Sequence, residues 1–256
     1  MGVSGSYTHL LAHLPNELSI SALQMPTNWQ TDPPISLSEM ASAYVQAIKT
    51  TQPEGPYHLC GWSFGGLLAL EIATQLYTTG ATIGSLIIID TDLSRLPGYL
   101  RLLPVTDKPV FMLKKLAKLG HWVLSRIRKQ AVSENMQYVY SILTRTYRRL
   151  LYKERIERKM YPSGIPEPVR MNMDTNFKIQ DLYNIPKLPV KIHVLCASGR
   201  SGILEPNFLG WKLVSNEIVL RKIEGDHNTI MAEPNVSVLA NELLKCLNGE
   251  NNSSEE

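Results

Sequence analysis

The chain has 256 residues, 44% of them hydrophobic, enough for one large domain or a domain carrying a sizeable insertion. No apolar run approaches the roughly 18 residues of a membrane span, so no spanning helix is predicted; the net charge is only +3, and no nucleic-acid partner is expected. Cys60, Cys196 and Cys246 fall in apolar stretches without metal-ligand spacing, and their odd number, with no secretory signal, predicts buried thiols in a reducing, cytoplasmic compartment.

Met1 to Ser6 formally matches an N-myristoylation signal, Met-Gly-x-x-x-Ser, but reads more simply as a glycine-rich loop entering a helix with Tyr7, Leu10, Leu11 and Leu14. Leu18 to Met25 is short and apolar and ends at Pro26, which predicts a strand. Ser36-x-x-Glu39 is a capping box, after which Leu37, Ala41, Tyr44, Val45 and Ile48 recur with helical spacing. Pro53-Glu54-Gly55-Pro56 then turns the chain toward Tyr57.

The stretch that follows is the most informative. An apolar run, Tyr57 to Cys60, enters Gly61-Trp62-Ser63-Phe64-Gly65, and a helix-period run of Leu67, Leu70, Ile72, Ala73 and Leu76 leaves it. Strand, sharp turn and helix in that order put one residue in a strained conformation at the strand tip, with Gly61 and Gly65 making room for the crossing. Ser63 is thereby presented as a nucleophile, and the Phe64 amide at the helix start is free to donate to an oxyanion beside it.

Ser85 to Ile89 is a continuous apolar run, the pattern of a parallel strand buried on both faces, and it ends at Asp90-Thr91-Asp92. Two basic helical patterns follow, over about 108–130 and 134–160. From Arg101 to Lys159 there are 15 basic residues against 4 acidic ones, which leaves the rest of the chain net acidic. Such asymmetry marks an insertion with its own surface role. Pro189 to Ala197 and Glu217 to Ile223 read as two more strands. Gly225-Asp226-His227 directly follows the second, and a last helix covers about 236–247.

Alternating strands and helices predict an α/β layer fold with its ligand site at the carboxyl ends of the strands. Ser63, Asp90 and His227 each follow a predicted strand, so all three should meet on one rim, in the Ser, Asp, His chain order of α/β-hydrolases. A serine hydroxyl needs a base to take its proton, and the base needs an acid to hold its tautomer.

Over nearly its whole length the sequence resembles the thioesterase domains of nonribosomal peptide synthetases and polyketide synthases. The resemblance rests on Gln52 to Tyr57, Gly61-Trp62-Ser63-Phe64-Gly65-Gly66, Ile89-Asp90 and Gly225-Asp226-His227. It implies an α/β-hydrolase fold, a mostly parallel sheet with helices on both faces and a helical lid. The core would be 1–92 and 186–248, the lid 93–185, and 249–256 a disordered tail. It also implies Ser63 as nucleophile, His227 as base and Asp90 as acid, with Asp92 and Glu205 the alternatives for the acid.

The same resemblance implies a substrate carried as a thioester on the phosphopantetheine of an acyl or peptidyl carrier protein, no cofactor bound by the domain itself, and release by hydrolysis or cyclisation. The basic lid is then a docking face for an acidic carrier. A second oxyanion donor is expected from the N-terminal glycine-rich loop, at Val3. Relatives carry an apolar strand before that loop, so a strand encoded upstream of Met1 is expected. The rival readings are another serine esterase or acyltransferase of this fold, or an inactive hydrolase-like fragment.

Overall fold

Leu86-Ile87-Ile88-Ile89 has no polar side to give to water, and in the computed structural model it lies inside a four-stranded parallel sheet, each of the four at most 1% exposed. The structure describes residues 7–26, 29, 32–96, 98–113, 117, 167–199 and 205–249. The sheet runs in the order β1 (Tyr57–Trp62), β2 (Ile83–Ile89), β3 (Ile192–Ala197) and β4 (Ile218–Ile223). Each neighbouring pair is parallel, with Cys60 opposite Ile87, Ile88 opposite Val194 and Leu195 opposite Arg221. All four strands therefore end on the same rim.

Period-two alternation divides the core between two faces. Ile87, Ile89, Leu195, Ala197 and Ile223 pack with Leu10 of α1 (Thr8–Ala12) and with Val236, Leu239 and Leu243 of α6 (Asn235–Leu247). The other face takes α3 (Phe64–Thr78), which lies against β1 and β2, with α2 (Leu37–Thr51) packed on α3. Helices thus cover both faces, as an α/β-hydrolase fold requires. The start of α2 is capped: Ser36 Oγ accepts from the Glu39 N–H at 3.1 Å, and Glu39 Oε2 accepts from the Ile35 N–H at 2.7 Å.

Two expectations fail at the β1 side of the sheet. Leu18–Met25 forms no strand; it runs through exposed and half-buried positions, with Ile20 46% exposed. An apolar run becomes a strand only when its backbone finds a ladder partner, and among the described residues β1 pairs only with β2. For the same reason Cys60, expected to be buried, is exposed, whereas Cys196 and Cys246 are buried.

The chain divides into two compact units, Met1–Leu102 with Thr175–Glu256, and Leu103–Asp174. The first also contains α4 (Tyr99–Leu102) and the C-terminal half of α5 (Glu167–Leu182). Beyond α5, Tyr183, Ile185 and Leu188 are buried, and the Tyr183 hydroxyl donates to Glu71 Oε2 of α3 at 2.9 Å. In the second unit residues 107–113 and 167–174 are helical. The remainder of the two basic helical patterns, most of the expected lid and residues 250–256 of the tail lie outside the described residues.

Candidate active site

The turn from β1 into α3 carries Ser63 at φ 57°, ψ −120°, a left-handed conformation that a residue with a Cβ adopts only under constraint. The constraint is local and visible. The Ser63 N–H donates to the Ile89 carbonyl at 3.0 Å, and the Ser63 carbonyl accepts from the Gly66 N–H at 3.1 Å and from the Thr91 hydroxyl at 2.7 Å. The crossing is as close as the glycine pattern predicts: a Cβ on Gly61 would stand 2.0 Å from the Gly65 carbonyl oxygen. The second tight position is Gly66, where a Cβ would stand 2.1 Å from Thr91 Oγ1, and not Gly65, whose nearest neighbour is the Tyr7 hydroxyl at 3.3 Å.

At the end of β2, Asp90 is fully buried and also has positive φ, 49°. Its N–H donates to the Leu195 carbonyl at 2.8 Å, and its Oδ1 accepts from the Ala197 N–H at 3.1 Å. Its Oδ2 lies 2.6 Å from Nδ1 of His227, whose Nε2 lies 2.9 Å from Ser63 Oγ. A carboxylate can only accept, so Nδ1 carries the ring proton and Nε2 is left to accept from the serine hydroxyl. Three side chains from the ends of three sequence-distant segments form one hydrogen-bonded chain.

The loop that presents His227 is held at both ends. Asp226 Oδ1 accepts from the Asn228 and Thr229 N–H groups at 2.9 Å each, and these, Thr229 first, hold its carboxyl below the usual range. On the other side the Trp62 indole N–H donates to the His227 carbonyl at 3.2 Å, and the Trp62 ring stacks on the imidazole with centroids 5.2 Å apart and planes at 28°. The Trp62 main-chain N–H in turn donates to the Tyr7 hydroxyl at 3.0 Å. Burial pushes that phenol up to about 12.

Of the alternatives for the acid, Asp92 is engaged elsewhere. Its Oδ1 accepts from the Ser94 N–H at 3.0 Å and the Ser94 hydroxyl at 2.6 Å, capping a short 3-10 turn. Glu205 opens the 3-10 segment Glu205–Leu213. Phe64 is the first residue of α3, where the leading N–H groups have no partner within the helix. Val3 lies outside the described residues.

Sequence reasoning did not find Tyr7, Thr91 or Trp211 as parts of the site. The fully buried Trp211 donates its indole N–H to the Thr91 carbonyl at 2.9 Å, bracing the turn that in turn braces Ser63. The only signal was the polar Thr91 between two aspartates. Among the described residues no group of acidic, histidine or cysteine side chains has the geometry to hold a metal ion, and no helix is long and apolar enough to cross a membrane.

The Thioesterase domain family model matches residues 1–245. The chain is similar to the non-reducing polyketide synthase atnG of Arthrinium sp, 28% identical over 250 residues that are 93% of this chain and 12% of that protein. It is 46% identical to the non-reducing polyketide synthase PKS16 of Cladonia grayi over 95 residues, 37% of this chain and 4% of that protein. The chain therefore spans a small part of these relatives. In fold it is similar to the NocB thioesterase domain from the nocardicin cluster, with a TM-score of 0.63 and 24% identity, over 97% of this chain and 90% of that one.

Proposed function

The chain belongs to the Thioesterase domain family, a family of hydrolases acting on thioesters, and on that premise we propose that it releases an acyl, peptidyl or polyketide chain from the phosphopantetheine arm of a carrier protein. The observation that supports this is the continuous Ser63–His227–Asp90 hydrogen-bonded chain at the tip of the strained β1–α3 turn. The polyketide synthases that the chain resembles support the class of substrate.

Ser63 Oγ attacks the thioester carbonyl while its proton passes to His227 Nε2. Asp90, already accepting from Nδ1, stabilises the imidazolium that forms. The Phe64 amide faces the developing oxyanion, with Val3 as the second donor that the family resemblance implies. Collapse breaks the carbon–sulfur bond, and the departing pantetheine sulfur takes the proton from His227. An acyl ester on Ser63 remains. A water, or a hydroxyl or amine on the acyl chain, then gives its proton to His227 and attacks; the ester carbon–oxygen bond breaks, Ser63 regains its proton, and an acid or a macrocycle leaves.

The test is labelling by a fluorophosphonate probe, with the site mapped by peptide mass, alongside rates on octanoyl-pantetheine and p-nitrophenyl octanoate. Labelling at Ser63 that disappears in Ser63→Ala, with the thioester preferred, is the expected result. A preference for the oxygen ester would favour the esterase reading, and no labelling the non-catalytic one.

A further inference from the structure

We infer that Trp62 is the positioning residue for His227, so that the residue preceding the nucleophile in the chain also sets where the base sits. The inference rests on the catalytic reading of Ser63 and His227 and adds a role that the hydrogen-bonded triad does not contain.

Ser63 and His227 are 164 residues apart, and their 2.9 Å contact depends on how a loop after β4 is held against a turn after β1. The hydrogen bonds at its two nitrogens, to Ser63 Oγ and Asp90 Oδ2, lie in the plane of the imidazole, which is partly open to solvent, and do not by themselves fix the tilt of that plane or the main chain of the loop. Trp62 supplies two further constraints of different kinds. Its indole N–H donates to the His227 carbonyl, which fixes the backbone of the loop, and its ring lies nearly parallel to the imidazole, which fixes the plane of the side chain. Trp62 is bonded covalently to Ser63, so these contacts close a small ring: Ser63 Oγ to His227 Nε2, through the histidine to its carbonyl, to the Trp62 indole, and back along the chain.

The ring is anchored at its far side as well. The Trp62 main-chain N–H is on the edge of β1 away from β2, where it donates to Tyr7 of the segment entering α1, and the Trp62 side chain packs against the apolar face shared by α1 and α6. A tryptophan present only for packing has no need to aim its one polar atom at the histidine carbonyl. Stacking also favours the imidazolium that forms in the transition state, because a ring face attracts positive charge.

The experiment uses the full chain with Trp62→Phe, which keeps a ring but loses the N–H, and Trp62→Ala, which loses both. Two readouts are taken: the low-field proton resonance of His227 Nδ1–H, assigned by its loss in His227→Ala, and the rate of fluorophosphonate labelling, with KM and kcat on octanoyl-pantetheine. Trp62→Ala should abolish the resonance through exchange with solvent and lower labelling and kcat by about 10- to 100-fold, the cost of a displaced catalytic group, at unchanged KM. Trp62→Phe should keep the resonance while labelling falls severalfold. Wild-type resonance and labelling in Trp62→Ala overturn the inference. If that variant does not fold, wild-type labelling in Trp62→Phe does so, since it would show that the indole N–H carries nothing. Absence of labelling in the unmodified protein would instead remove the catalytic reading, and the resonance would still decide whether Trp62 positions His227.

Discussion

The hydroxyl of Thr91, one residue beyond Asp90, donates to the main-chain carbonyl of Ser63 at 2.7 Å. It ties the turn that carries the acid to the turn that carries the nucleophile, both of which have positive φ. Thr91→Val keeps the branched shape and removes the donor. The Ser63 carbonyl keeps the Gly66 N–H but loses its second partner, at a cost of about 0.5–1.5 kcal/mol, and labelling of Ser63 should slow, with both effects reversed in Thr91→Ser. Thermal denaturation and labelling kinetics on the three proteins check this. Equal behaviour of the valine and serine forms would show that the hydroxyl is not what holds the turn.

Asp90→Asn should leave the fold intact and lower turnover by orders of magnitude, because an amide can present its N–H to Nδ1 and so hold the wrong tautomer. The comparable change in a serine protease costs about 10⁴-fold. Asp92→Asn should have little effect on turnover, since Asp92 caps a turn. Steady-state rates decide. Wild-type turnover in Asp90→Asn with a loss in Glu205→Gln would move the acid to Glu205.

Gly61→Ala places a methyl 2.0 Å from a backbone oxygen, which no side-chain rotation relieves. Its destabilisation should reach or exceed the usual overpacking cost of about 1–3 kcal/mol. Gly65→Ala, which meets only the Tyr7 hydroxyl, should cost far less. Urea denaturation of the two variants measures the difference.

Burial, with Arg221 and Lys191 beside it, lowers His193 from 6.5 to about 4. Between those values the unfolded chain binds a proton that the folded chain refuses, so the stability tied to neutral His193 is complete above pH 6.5 and is lost as pH falls toward 4. His193→Gln keeps an acceptor for Arg221, whose Nη1 lies 3.3 Å from the ring Nδ1. The difference in melting temperature between wild type and this variant should narrow or reverse from about pH 7 to about pH 4. A constant difference would show that His193 does not titrate in this window.

Reversing several charges among Lys114, Lys115, Lys118, Arg148 and Arg149 should weaken use of a carrier-bound substrate far more than of octanoyl-pantetheine. The motive is the local excess of basic residues between Arg101 and Lys159. Added salt should shrink the effect, because exposed charges are screened over about 8–10 Å near physiological ionic strength. Equal losses on both substrates would rule out carrier docking through this stretch.

Features that depend on local pattern are legible in the chain alone. The run Leu86–Ile89 admits little but a buried strand, Gly61-Trp62-Ser63-Phe64-Gly65 between apolar runs admits little but a sharp strand-to-helix turn, and parallel strands must bring Ser63, Asp90 and His227 to one rim. Features that depend on a partner distant in sequence emerge only in the folded chain. Leu18–Met25 has the composition of a strand but pairs with no strand among the described residues, and Cys60 has the setting of a core residue but lies on the outer strand of the described sheet. Asp90 and Asp92 are the same residue type two positions apart, and only the positive φ of Asp90 and the nearby Ala197 N–H separate the one that faces His227 from the one that caps a turn. Trp62 to His227 and Trp211 to Thr91 span 165 and 120 residues. No window of sequence contains both ends of such a bond, because it forms only after the strands have paired and the rim exists.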